Sequence, residues 1–239
     1  MFDAQTLALM ILVPALSQAG PDAYSDVVAR ARRVYDRGTR CDRAHETAHF
    51  LHAEQRLLRP GHAVFYLGHG RAVAVREPAV RLSDVARAVP VSARGSRYTL
   101  TFATNGRYWE STPTYVLDEA YAYLHDNRVR LDDLRRGVPN GGRGFETPAD
   151  ALPEFAAYAL SLAAAVRERD PARYADPRFR LSIRIYVTEA QDLYRESMRH
   201  RETCTTAHAS IADALRASPD CETLRAVLRE VCAGAWLKD

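Results

Sequence analysis

An α+β, helix-rich fold follows from three features of the 239-residue sequence. Apolar residues recur at helical spacing through most of the chain, two short apolar runs flank Gly68-His69-Gly70 as in a β-hairpin, and everything beyond the glycine-rich stretch 137–144 reads as helix. With 47% hydrophobic residues the chain can bury a core of its own, so folding needs no metal and any metal site belongs to function.

Taken in order, residues 6–16 (TLALMILVPAL) are apolar, but the run is interrupted by Pro14 and too short to span a bilayer. Ser17-Gln18-Ala19 resembles a small-residue cleavage site, yet no basic residue precedes the run, and a buried first segment is the preferred reading over a signal peptide. From Ala23 to Arg37, Val27, Val28, Ala31 and Val34 share one face of an amphipathic helix ended by Gly38. A second helix starts near Asp42, runs through HETAHFLHAEQRLL and stops at Arg59-Pro60-Gly61. The hairpin HAVFYLGHGRAVAVRE follows. Ser83 then caps a short helix through Val89, and RYTLTFA, Arg97–Ala103, reads as a further strand.

Ser111 or Thr112 before Pro113 starts the helix TYVLDEAYAYLHD. The loop that begins at Gly137 divides a core, residues 1–136, from a helical C-terminal subdomain, residues 137–239, packed on it. That subdomain contains LPEFAAYALSLAAAVRER, IRIYVTEAQDLYRESMRH, HASIADALRA and ETLRAVLREVCAGAW, each with helical periodicity.

The formal charge is +3, and basic and acidic residues alternate, so nucleic acid is not an expected partner. The arginines at 128, 130, 135 and 136 read as a solvated face. No stable membrane span is expected either. Cys41, Cys204, Cys221 and Cys232 lack any CxxC pairing; an even count permits disulfides and gives a slight lean to a secreted or periplasmic setting over the cytoplasm.

The chemistry lies in His45-Glu46-Thr47-Ala48-His49. Two histidines four apart on a helix project from one face and can reach one ion, which makes His45 and His49 candidate metal ligands. Glu46 beside them is placed to take a proton from water attacking a polarised carbonyl, the role of general base. Downstream, Asp118-Glu119 lies among apolar and aromatic neighbours, where an unpaired carboxylate is costly to bury and a metal relieves the cost. Glu119 shares a helical face with Tyr115 and Tyr123 and is preferred as ligand over Asp118, which points about 100° away. Tyr115 is a candidate donor to an oxyanion. His52, one turn past His49, is either a partner behind the ligands or a ligand itself, and Asp126 is a candidate to orient a ligand histidine. His62 and His69 read as turn residues, and His208 as a possible donor from the C-terminal region.

HETAH with a downstream LDEAYAY helix resembles the gluzincin class of zinc metallopeptidases. The resemblance implies a zincin-like catalytic core, zinc held by His45, His49 and Glu119, Glu46 as base, and a peptide or protein substrate. Sixty-nine residues lie between His49 and Glu119, more than in thermolysin-like members, and Tyr123 stands where those members place an aspartate. The likeness is therefore to a divergent gluzincin. The metzincin pattern fits less well, with His52 where that pattern needs glycine. The hairpin after the motif is a candidate edge strand for an extended substrate. Two other readings use the same residues: a non-haem iron oxygenase with a 2-His-1-carboxylate site, and a non-enzymatic protein whose structural metal is closed by a fourth ligand such as His52.

Overall fold

The two helices that matter are each set at their N-terminus by a carboxylate. In the computed structural model, which describes residues 10–12, 22–138, 148–200, 206–233 and 236–237, the motif helix spans Arg40–Leu57. Its start is a capping box: Thr39 Oγ1 accepts from the Asp42 amide at 3.2 Å, and Asp42 Oδ2 accepts from the Thr39 amide at 2.8 Å. Gly38 makes room for it, since a Cβ there would lie 2.5 Å from Asp42 Oδ2 at a φ of +76°. The second helix spans Tyr115–Arg135, and Glu77 accepts from the Thr114 amide at 2.9 Å and its hydroxyl at 2.6 Å, placing negative charge at the positive end of the helix dipole.

In chain order the elements are β1 (Met10–Leu12), α1 (Ala23–Val28), α2 (Arg40–Leu57), β2 (His62–Gly68), β3 (Arg71–Arg76), α3 (Leu82–Ala88), a π-helical turn (Thr99–Thr104), α4 (Gly106–Trp109), α5 (Tyr115–Arg135), α6 (Pro148–Arg169), α7 (Pro171–Ala175), α8 (Pro177–Ser197), α9 (Thr206–Ala217) and α10 (Glu222–Cys232). The sheet is antiparallel in the order β1-β3-β2. Gly68 and Gly70, at φ of +92° and +71°, make the hairpin turn with His69 between them at +51°. Asp26 of α1 ties that turn down, accepting from Tyr66 Oη and from the His69 amide, both at 2.8 Å.

Strand alternation separates two layers. Val64, Tyr66, Ala72 and Ala74 meet Val27 of α1 and Leu51 of α2, whereas Ala63, Phe65, Leu67, Val73 and Val75 enter the main core with α5, α6, α8 and α10. That core is continuous from Ala63 to Trp236, so residues on both sides of the expected boundary at 136/137 share it. The glycine-rich stretch lies outside the described residues from 139 onward. Among the described residues α6 alone is long and apolar enough to cross a membrane, and its apolar stretch is wholly buried inside the molecule. Cys41, Cys221 and Cys232 are buried free thiols, and Cys204 lies outside the described residues. Arg128, Arg135 and Arg136 are not merely solvated: they pair with Glu189, Glu196 and Asp22 respectively.

Three local readings are corrected. The first helix ends at Val28, well before Arg37, because the chain then crosses α2, where the Arg32 amide donates to Glu54 at 3.3 Å and the Tyr35 amide to Thr47 Oγ1 at 3.0 Å. Val34, assigned to its apolar face, is exposed. The expected strand at Arg97–Ala103 is helical: Tyr98 and Phe102 both pack on Tyr158 of α6, and this contact overrides the strand propensity of the segment. Ser83 does not cap α3. Asp84 accepts from the Arg81 amide at 2.9 Å, while the Ser83 hydroxyl donates to Glu110.

Candidate metal centre

α2 and α5 lie side by side, and the helical period brings His45, His49 and His52 of α2 opposite Tyr115, Asp118, Glu119 and Tyr123 of α5. His45 Nε2 and His49 Nε2 are 3.2 Å apart, and each is 3.8 Å from Glu119 Oε2. A triangle with those sides has a circumradius of about 2.1 Å, so one point lies at that distance from all three atoms. This is the ordinary bond length from zinc to imidazole nitrogen or carboxylate oxygen. Two imidazoles and a carboxylate therefore form a set that can hold a metal ion.

Each ligand is held from behind. Asp118 Oδ2 accepts from His49 Nδ1 at 2.8 Å, and its other oxygen, Oδ1, accepts from His52 Nδ1 at 2.7 Å. With the proton on Nδ1, His49 presents the lone pair of Nε2 to the shared point. Tyr115 Oη donates to Glu119 Oε1 at 2.6 Å and accepts from Asn105 Nδ2 at 2.9 Å, leaving Oε2 for the ion. His45 lies edge-on to Tyr123, with ring centroids 4.5 Å apart; Tyr123 in turn stacks on Phe155 and lies under the Arg97 guanidinium. Arg97 is buried and paired with Glu154 of α6, which is fully buried and also accepts from Tyr158.

His49, His52 and Asp118 also form a cluster of metal-ligating types. Their contacts of 2.7 and 2.8 Å are hydrogen-bond lengths, whereas atoms ligating one ion at 2.0–2.2 Å stand about 3 Å or more apart. This cluster shares protons.

The electrostatics suit a cation. Burial opposes a proton on His49, but Asp118, with Glu119 and Glu46 nearby, outweighs it and pushes His49 up to about 9. Burial and the neighbouring His49 hold His45 well below the ordinary histidine range. Burial raises Glu119 above the usual carboxylate range, against the pull of His49 and the Tyr115 hydrogen bond. Burial would raise Asp118 too, but His49 and His52 hold it well below that range. An ion at the shared point takes the place of a proton in a site with three carboxylates around it.

Of the residues singled out in the sequence, His45, His49 and Glu119 converge, and Glu46 is half-buried on the same helix, close enough to act on both His49 and Glu119. Tyr115, expected as a candidate oxyanion donor, directs its hydroxyl proton at Glu119 Oε1 and so stands as a partner of a candidate ligand. Asp126 is corrected: the carboxylate behind a ligand histidine is Asp118, while Asp126 sits beside Cys41 with Oδ1 buried and unpartnered. His125 Nε2 donates to the Tyr66 carbonyl at 3.0 Å and Arg128 to the Leu67 carbonyl at 2.9 Å, so the far end of β2 is already engaged by α5 and is not open to a substrate strand. His62 and His69 stand at the hairpin's ends, and the side chain of His208 lies outside the described residues.

Sequence reasoning missed Asn105, Arg97 and Glu154. Asn105 carries a local signal, a Thr-Asn-Gly turn just before the second helix. Arg97 and Glu154 are fifty-seven positions apart and carry none. No protein-family model, curated protein or solved structure matches the chain.

Proposed function

We propose that the protein is a zinc-dependent hydrolase, a metallopeptidase with a divergent gluzincin-like site. The observation that carries this reading is the common point about 2.1 Å from His45 Nε2, His49 Nε2 and Glu119 Oε2, with Glu46 near enough to act on His49 and Glu119. His45, His49 and Glu119 hold the ion. When bound, zinc supplies a Lewis acid that polarises a carbonyl and makes water at the site more acidic. Glu46 takes the proton of the attacking water on its carboxylate and delivers it to the leaving amine, so one residue serves as base and then acid. Asp118 and Tyr115 keep His49 and Glu119 aimed, and Tyr123 packs against His45.

A closed structural site is disfavoured because His52 offers no atom to the group formed by His45, His49 and Glu119: its Nδ1 is turned to Asp118 and its ring lies edge-on to Phe65. With the far end of β2 engaged, the candidate substrate rim moves to the segment 99–108, where Leu100 and Tyr108 are exposed. The test is Glu46→Gln. The variant is expected to bind zinc as the natural protein does and to hydrolyse an unfolded protein substrate about 10²–10⁴-fold more slowly. Full activity with zinc bound would overturn the assignment.

A further inference from the structure

His52 is the histidine of α2 that the proposed chemistry leaves without a task. It is 1% exposed and lies edge-on to Phe65 of β2, with centroids 5.8 Å apart. Its Nε2 is buried with no hydrogen-bond partner. Leaving a buried polar atom unpaired is destabilising, and an apolar side chain of similar size would avoid that cost. What the imidazole provides in return is the Nδ1–H directed at Asp118 Oδ1, at 2.7 Å.

A carboxylate is planar, so anchoring one oxygen anchors the other. With Oδ1 held by His52, Asp118 cannot turn about Cβ–Cγ without breaking that bond, and Oδ2 stays 2.8 Å from His49 Nδ1. Oδ2 can only accept, so a proton of His49 is kept on Nδ1, and Nε2 is the nitrogen left to face His45 Nε2 and Glu119 Oε2 and to give its lone pair to an ion there. Phe65 holds the ring of His52 in place and is itself stacked on Tyr121 of α5 at 5.2 Å. The hairpin thus forms a wall behind the centre.

We infer that His52 is a positioning residue of the metal centre, acting through Asp118 to fix the tautomer and ring orientation of His49. The inference rests on the proposed metal site. It is tested with two amides that differ in reach: the nitrogen of asparagine stands as many bonds from the backbone as Nδ1, and that of glutamine one bond further. His52→Asn is expected to keep zinc affinity within about threefold of the natural protein, and His52→Gln to lose about 10–100-fold, read by competition with a chromophoric chelator. Equal affinities of the two variants, or a glutamine variant that binds as tightly as the natural protein, would overturn the inference. A natural protein that binds no zinc in the same assay contradicts the metal site itself, which keeps the two failures apart.

Discussion

Tyr115→Phe removes one oxygen atom from the site and asks what that atom does. The ring stays, and with it the parallel stack on Trp109 at 4.9 Å. What disappears is the 2.6 Å hydrogen bond to Glu119 Oε1, together with the acceptor for Asn105 Nδ2. A hydrogen bond to a charged group is worth about 1.5–3 kcal/mol, and each 1.4 kcal/mol is tenfold in affinity. The Glu119 side chain is 17% exposed, so water replaces part of the lost bond. Zinc affinity is therefore expected to fall about tenfold, with about a hundredfold as the upper bound. Chelator competition gives the affinity, and turnover at saturating zinc gives the chemistry. A loss of affinity with near-normal turnover is the predicted pattern. Unchanged affinity with reduced turnover would refute the reasoning and return Tyr115 to the role of a donor to the substrate.

Two further predictions concern the surroundings of the centre. Arg97→Met leaves the fully buried Glu154 without its cation, and breaking a buried pair from one side is expected to lower unfolding free energy by about 3–5 kcal/mol in chemical denaturation; a loss below about 1 kcal/mol would contradict the pairing. Burial pushes Asp126 up to about 7 from 3.8, so its native state holds the proton more tightly than its unfolded state. Its contribution to stability is present below the unfolded value and is lost as pH rises from about 4 to about 7. Asp126→Asn, which cannot ionise, should gain stability relative to the natural protein across that window, by at most about 4 kcal/mol at pH 8. Denaturant midpoints at pH 5 and pH 8 measure it, and a gain independent of pH would contradict the burial of that charge.

Where periodicity and a cap agree, the sequence was legible. The HExxH helix, the helix after Pro113, the hairpin at Gly68-His69-Gly70 and the four long C-terminal helical patterns each combine apolar spacing with a turn or cap residue, and the observed spans Arg40–Leu57, Tyr115–Arg135, Pro148–Arg169 and Pro177–Ser197 follow them. The residues around 97–104 misled because Tyr, Thr and Phe favour strands, while their packing partner, Tyr158, lies far along the chain. His45 and His49 were legible as a pair because four residues is nearly one turn. The division of labour between Asp118 and Glu119 was less so: both face α2, and only the opposing positions of His49 and His52 decide which carboxylate stands behind the ligands and which beside them. Asp126 was misjudged for the same reason. It lies two turns further along α5, opposite Cys41 and past the histidines.

Anomalous X-ray scattering on either side of the zinc absorption edge, from crystals of protein equilibrated with one equivalent of zinc, tests the central claim most directly. The account predicts one strong peak per chain, about 2.1 Å from His45 Nε2, His49 Nε2 and Glu119 Oε2, with Asp118 still on His49 Nδ1. No peak there, or one bound instead by Asp118 and His52, would contradict it.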